Sequence, residues 1–374
     1  MTVADVEQIM EQWAPTWISW ERDNVGLQVG DRSAQVKRIH ICLDVTRDII
    51  DEAVKVKADL LISHHPLLFR PLTSLSTSDP VGSMILRLAR QGIALYSAHT
   101  NLDFTRDGVS MTLARVLGLK NIGFLAPLKG LMAKIAVFVP QASVGKVMEA
   151  MSSAGAGIIG NYSHCSFQIN GRGTFLGSEH SNPTVGKAGV LETAEEVRLE
   201  MVCPRASAPA IIEAMKKAHP YEEVAYDLYP LDNESTEYGM GAVGELDSPL
   251  PLGKWIASVR SKLRAEVVRV NASGPSRVRR VAVCGGSGSD LLPAAVRAGA
   301  DAFVTADVRY HTFHDAAFGE MTSRRIALID AGHWETEHPI LPVIAAKLEQ
   351  ACSQRKERVT ITITQRKTSP IQAH

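Results

Sequence analysis

The sequence predicts an α/β protein made of two related βαβ-containing halves, with a ferredoxin-like α+β domain inserted between them. Three observations carry that prediction. A thirty-residue segment recurs near both ends of the chain. Each copy is followed by a strand that runs into a His-x-x-x-carboxylate motif. The stretch between them has its own, different internal repeat.

Segments 36–65, VKRIHICLDVTRDIIDEAVKVKADLLISHH, and 278–307, VRRVAVCGGSGSDLLPAAVRAGADAFVTAD, align without a gap. Eight of the thirty positions are identical (Val36, Arg38, Cys42, Asp48, Ala53, Val54, Ala58 and Asp59 against Val278, Arg280, Cys284, Asp290, Ala295, Val296, Ala300 and Asp301), where average composition gives roughly two. Each copy reads as strand, turn, amphipathic helix, strand, which is a βαβ unit. The next strand repeats as well. IALYSAHTNLD resembles IALIDAGHWETE, pairing His99 and Asp103 with His333 and Glu337 once a single inserted residue is allowed. Both halves thus place histidine and acid at the carboxyl ends of their strands, the edge at which α/β folds bind ligands.

Residues 129–237 read differently. KIAVFVP is a strand, SVGKVMEAMSSAG a helix, SHCSFQI and RGTFLGS a strand pair around Asn170-Gly171, and VRLEMVCP a strand. SAPAIIEAMKKAH is then a helix and EEVAYDLYPL a last strand, while VPQASVGKVMEAM echoes CPRASAPAIIEAM. This order is the ferredoxin-like β-α-β-β-α-β. The expectation is a discontinuous domain, 1–128 with 238–374, carrying the insert.

Composition limits the function. At 374 residues the chain exceeds one ordinary core, and 45% apolar residues is the content of a folded protein. Forty basic residues balance forty acidic ones, so no global field favours nucleic acid or an anionic membrane. The five cysteines (Cys42, Cys165, Cys203, Cys284, Cys352) form no CxxC pair, which argues against a thiolate zinc site or a disulfide framework. No signal-peptide succession opens the chain and no apolar run reaches membrane-spanning length, so the expected location is the cytoplasm.

The chemistry is concentrated in LLISHHPLLF, where His64 and His65 interrupt an otherwise buried strand. Successive residues of an extended chain point to opposite sides, and Pro66 biases His65 towards extended backbone. Neighbouring imidazoles so arranged suit two ions lying side by side rather than one. A dinuclear site needs nitrogen and oxygen ligands on each ion and a bridging group, at a separation of roughly 3.5–4 Å. Asp103, His333 and Glu337 supply those types from equivalent strand ends. Taken singly, each motif has a plainer reading: an HH pair in a surface loop, or an i,i+4 pair at a helix start. Their repetition at matched strand ends favours the metal site. His99 is either a further ligand, by its symmetry with His333, or a group that orients a ligand or moves a proton. Asp307, in the slot of His65, and His311 are outer or proton-transfer candidates. His314 reads as a solvent residue and His338 as the mark of a helix start. CGGSGSD, residues 284–290, is a glycine-rich turn that serves either structure or phosphate binding; it lacks the Walker lysine and the GxGxxG spacing.

DNVGLQVG, DVT, SHHP, HTNLD, GAVGEL, DVRYH and DAGHWETE, in this order, resemble the Nif-three-like family, whose members carry the name type 2 GTP cyclohydrolase I homologues. The resemblance covers residues 1–128 and 238 to the end. It implies a dinuclear metal centre bound by His64, His65, Asp103, His333 and Glu337, with the glutamate as bridge. It implies zinc first, with manganese, iron or cobalt as alternatives, and a metal-dependent hydrolase acting on a small, nucleotide-like substrate. A PII-like or CutA-like insert is implied by AHPYEEVAYDLYPL, and the family's habit implies a toroidal homohexamer capped by the inserts. Two departures are Arg22, where the family usually has tryptophan before Asp-Asn, and Ala306, where glycine is usual.

Overall fold

A computed structural model describes residues 1–271, 274–318 and 325–372. The chain divides into two compact units: Met1–Pro127 with Thr236–His374, and Leu128–Ser235. Sequence patterning put the junctions at residues 128/129 and 237/238. The second junction falls earlier because Arg106 binds the Thr236 carbonyl through its guanidinium and the Glu237 carbonyl through its backbone N–H, at 3.1 Å in the latter case.

The larger unit holds two sheets. One has the order Gly26–Val29, Ala94–Ser97, Leu60–Ser63, Arg38–Cys42, Thr360–Ile363, parallel except for its first strand. The other runs Arg269–Val270, Ala327–Asp330, Ala302–Ala306, Arg277–Ser287, Gly239–Pro251, Lys120–Pro127. Its parallel core is the trio Ala327–Asp330, Ala302–Ala306 and Arg277–Ser287, and its remaining pairings are antiparallel. Leu60–Ser63, Ala94–Ser97, Ala302–Ala306 and Ala327–Asp330 are buried at every position. That is why their sequences are continuous apolar runs rather than alternating ones.

The duplicated residues do duplicated work. Asp59 Oδ2 accepts the backbone N–H groups of Lys37 and Arg38 at 2.8 Å each, and Asp301 Oδ2 accepts those of Arg279 and Arg280 at 2.9 Å each. Arg38 Nε donates to the Lys57 carbonyl, and Arg280 Nε to that of Ala298. The identical Arg and Asp of each copy therefore tie the first strand of a βαβ unit to the turn before its second. Each first strand then leads to a helix, Arg47–Lys55 capped by the Thr46 hydroxyl in the first half and Leu292–Arg297 in the second.

The unit Leu128–Ser235 is an antiparallel sheet in the order Phe167–Leu176, Leu191–Pro204, Met132–Pro140, Tyr226–Leu231. Helices Val144–Ser153 and Ala208–Ala218 follow its first and third strands, giving β-α-β-β-α-β. Ile135, Val137, Val147, Leu199, Ile211 and Met215 are among its fully buried core. The expected strand pair around Asn170-Gly171 is instead one strand. Neither residue has the positive φ that a type I′ turn requires, and both continue the register, opposite Val197 and Glu196. The reversal comes later, after Leu176, in a segment where Gly186 and Gly189 take φ of 80° and 75°. Among the described residues, no helix is long and apolar enough to cross a membrane.

Candidate metal centre

His64 and His65 follow directly on the buried strand Leu60–Ser63. Asp103 ends the short helix Thr100–Asp103, and His333 and Glu337 are the first and last residues of the helix His333–Glu337. The structure brings all five together, and His99 with them. Imidazole centroids lie 5.0 Å apart for His64 and His65, 5.4 Å for His64 and His99, and 5.3 Å for His65 and His333.

Each imidazole is held from behind by its Nδ1. His64 Nδ1 meets the Ala98 carbonyl at 2.7 Å, and since a carbonyl only accepts, that nitrogen donates and Nε2 is the one turned to the acids. His65 Nδ1 is 2.7 Å from Asp44 Oδ1, His333 Nδ1 is 2.6 Å from Asp307 Oδ2, and His99 Nδ1 is 2.9 Å from both Asp23 oxygens. A histidine whose far nitrogen is fixed by a carboxylate or carbonyl is the usual arrangement of a metal ligand.

The acids complete the cluster. Glu337 is 3% exposed, with Oε2 at 3.0 Å from His65 Nε2 and 3.1 Å from His333 Nε2, while Oε1 is 3.8 Å from His64 Nε2. Asp103 Oδ1 is 3.5 Å from His64 Nε2. These are charge-pair distances without hydrogen bonds: His64 Nε2, Asp103 Oδ1 and Glu337 Oε2 are buried and have no hydrogen-bond partner among the described residues. Three orphaned polar atoms in one buried spot are costly unless something binds them. Donors around an ion at roughly 2.1 Å stand about 3.0–3.4 Å from one another, and these separations match or slightly exceed that spacing. Mixed imidazole and carboxylate donors suit zinc, manganese, iron or cobalt. The residues therefore fit a divalent metal. One Glu337 oxygen faces His64 and the other faces His65 and His333, so the carboxylate looks towards two groups of donors.

Electrostatics point the same way. Burial alone would lower His65, but Asp44 and Glu337 outweigh it and raise the imidazole to about 10. Burial is likewise outweighed at His333 by Glu337 and Asp307, which raise it to about 9. Burial raises the Asp103 carboxyl. At Glu337 the surrounding imidazoles prevail over burial and hold the carboxyl well below its ordinary value. Where raised imidazoles such as His65 and His333 face a lowered carboxylate, a cation would compete with protons for the same donors.

The glycine-rich turn resolves in favour of structure. The N–H groups of Gly285, Gly286 and Gly288 are taken by the hydroxyls of Ser110, Thr336 and Thr305, at 3.3, 3.0 and 2.9 Å, which leaves no free phosphate cradle there. Gly286 has φ of 60°, and a Cβ on it would stand 2.1 Å from Glu337 Oε1. The turn is glycine so that the backbone can close over the glutamate.

His311 is not brought into the cluster. It is exposed on the helix Tyr310–Phe318, with its ring against Tyr310. His314 is also exposed, and His338 stacks flat on Trp334 at 4.2 Å. Asp307 does stand behind His333, in a left-handed conformation (φ 54°) that aspartate tolerates better than most residues. Reading residue by residue passed over Asp23 and Asp44. Both lie inside quoted motifs, DNVGLQVG and DVT, and that was the available signal. Beside His65 and His333 lies a cavity of about 540 Å³, lined among others by Asp44, Arg269, Asp307, Trp334 and Lys367.

Comparison with known proteins agrees with this picture. The family model Duf34/NIF3 (NGG1p interacting factor 3) matches residues 1–370. The chain is 38% identical over 366 residues to the GTP cyclohydrolase 1 type 2 homolog of Halalkalibacterium halodurans, covering 98% of this chain and 97% of that one. It is 39% identical over 364 residues to the protein of that name in Bacillus subtilis, covering 97% and 96%. The crystal structure of a Bacillus cereus protein related to NIF3 superposes with a TM-score of 0.79 at 37% identity, over 100% of this chain and 99% of that one. A Staphylococcus aureus protein superposes at 0.82 with 30% identity, over the same shares. By sequence over nearly its whole length, the chain belongs to the Duf34/NIF3 family.

Proposed function

We propose that the cluster binds two divalent ions, zinc first and manganese, iron or cobalt as alternatives, and that the protein is a metal-dependent hydrolase of a small, nucleotide-like molecule. The observation that carries the reading is the convergence of buried, unpartnered His64 Nε2, Asp103 Oδ1 and Glu337 Oε2, while every imidazole is fixed by its other nitrogen. In this reading His64 and Asp103 would hold one ion and His65 and His333 the other, with the Glu337 carboxylate facing both groups of donors. When bound, such ions supply a water of lowered pKa and stabilise charge developing on the attacked centre. The chain's own residues do the rest. Asp44, Asp307 and Asp23 hold the imidazoles in place, and His99, backed by Asp23, stands at the rim as ligand or proton carrier. The neighbouring cavity is within the size range of small-molecule sites.

The relatives' name points to one specific reaction, hydrolytic opening of the guanine ring of GTP with release of formate. Its test is formate production from GTP by metal-loaded protein, beside a panel of other nucleotides and phosphoesters. Turnover that disappears in His65→Ala supports the hydrolase. A second reading, a metal-binding regulatory scaffold, is favoured by a separate cavity of about 330 Å³ in the inserted unit, lined by Phe138, Phe175, Tyr221 and Glu196 among others. A PII-like insert that binds a small ligand there, in a toroidal homohexamer, belongs to that reading. Absence of turnover on the whole panel, together with ligand binding that survives His65→Ala, would favour it over catalysis.

A further inference from the structure

The segment after the last strand, 364–372, would pass for a loose tail by sequence, yet the side chains of Thr364, Arg366, Lys367 and Thr368 each bond to the body of the fold. The Thr364 hydroxyl donates to Glu52 Oε2 at 2.7 Å, and its backbone N–H bonds the Ile41 carbonyl at 2.9 Å. Arg366 reaches Asp48 at 3.3 Å and Glu52 at 3.7 Å. Lys367 spans Glu266 and Glu335, at 3.0 Å from each, and lies over the Trp334 ring. Thr368 donates its hydroxyl to Asp44 Oδ2. Ser369, Pro370, Ile371 and Gln372 then line the cavity that ends on His65 and His333.

The Thr368 contact matters because of what Asp44 does. Oδ1 of that carboxylate holds His65 Nδ1 at 2.7 Å, and Oδ2 is held by Thr368. With both oxygens engaged, the carboxylate cannot turn about its last torsion, and the imidazole plane is fixed with Nε2 at 3.0 Å from Glu337 Oε2. The same device appears at His99, where Asp23 holds Nδ1 and accepts the hydroxyl of Thr100. There the threonine is the histidine's chain neighbour. At His65 it comes from the far end of the chain, 324 residues from Asp44.

We infer that Thr368 is a positioning residue of the metal centre, acting through Asp44 on His65, and that the C-terminal tail is a built wall of that centre. The inference rests on the metal-binding reading above. It concerns geometry around one imidazole, so its effect falls on the ion that His65 holds and spares the other. Loss of an orienting partner typically weakens metal binding 10–100-fold, and Thr368, one bond further out, should give about the lower figure.

The test compares wild type, Thr368→Val and Thr368→Ser as full chains, with folding checked by thermal melting in the presence of chelator. Zinc is titrated in competition with a chromophoric chelator, and the cobalt-loaded proteins are compared by visible absorption. The expected result is an approximately tenfold weaker affinity for one of two ions and an altered cobalt spectrum in Thr368→Val, both restored in Thr368→Ser. Unchanged affinity and spectrum in a folded Thr368→Val overturn the inference and leave the metal reading standing. Equal damage in Thr368→Ser also overturns it, since the hydroxyl would then not be the working group. A wild-type protein that takes up no zinc or cobalt overturns the metal reading and this inference together.

Discussion

Glu337→Gln is the substitution that most directly separates a shared-carboxylate centre from a chance gathering of polar side chains. The amide has the carboxylate's shape but not its charge, and the residue is 3% exposed, so water cannot compensate. Removing one partner of a buried charge arrangement costs about 3–5 kcal/mol. The amide oxygen can still coordinate, which favours the low end, and about 3 kcal/mol corresponds to roughly a 100-fold weaker affinity for at least one ion. Competition titration with elemental analysis measures that loss. His99→Ala, run alongside, should weaken binding less and leave both ions countable. The metal-free protein gives a second readout. His65 and His333 titrate near 10 and 9 because Asp44, Asp307 and Glu337 outweigh burial. Both folded values lie above the unfolded value near 6.5, so the stabilisation they confer is full below about pH 6.5 and is lost as pH rises through 9 to 10. Glu337→Gln should move both imidazoles down, and the metal-free variant should lose less stability between pH 7 and 10 than the wild type. Two tightly held ions in Glu337→Gln, with one lost in His99→Ala, would refute the reasoning and make His99 the ligand that matters.

Other outcomes follow from single contacts. Gly286→Ala should cost about 1–3 kcal/mol of stability and weaken metal uptake, read by melting and zinc titration, because the residue has φ of 60° and a Cβ there would stand 2.1 Å from Glu337 Oε1. Asp23 is lowered to about 2, since hydrogen bonds from His99 and Thr100 outweigh burial. In metal-free protein Asp23→Asn should therefore lose about 2 kcal/mol at neutral pH, and the gap to wild type should close as pH falls from about 4 through 2, as followed by denaturant titration. Replacing residues 128–235 by a short flexible linker should leave a folded remainder that still binds zinc. Pro127 and Gly239 are paired across neighbouring strands, so the cut ends need little chain to join them, and the removed unit has its own core. An insoluble or metal-free product with several linkers would count against independence.

How much of this was legible in the sequence depended on the range of the signal. Contiguous motifs at strand ends were legible, because strand polarity in a βαβ unit fixes where those ends lie. His64, His65, Asp103, His333 and Glu337 could be named together for that reason, although 273 positions separate His64 from Glu337. What lay behind the imidazoles was less legible. Asp44 and Asp23 reach their histidines across 21 and 76 positions, and a lone aspartate in a loop has no pattern that marks it as a hydrogen-bond partner. Thr368 was invisible for the same reason, only more so. Asn170-Gly171 failed in the opposite sense: the dipeptide favours a turn locally, but ten consecutive pairings with the neighbouring strand outweigh that preference. His311 lies exposed outside the cluster: a helix start near a strand end does not say which way its side chains face.

The duplication, and the places where it breaks, explain why the donor cluster draws on both halves. A symmetric pair of halves would give each its own HH motif and its own His-x-x-x-carboxylate. In the second half the HH slot instead holds Ala306 and Asp307, and the slot of Asp44 holds Gly286. Each change fits a need created by the other half. In the slot of His65, Asp307 holds His333 Nδ1 from behind, while His65 itself faces Glu337. Gly286 gives up the side chain that Asp44 uses on His65, and the space goes to Glu337 Oε1. His99 and His333 keep their equivalence, each with an aspartate behind Nδ1, but the aspartates come from different places in the two halves. The first half supplies the adjacent imidazoles and the second the buried glutamate, so the donor cluster is complete only when the two halves meet.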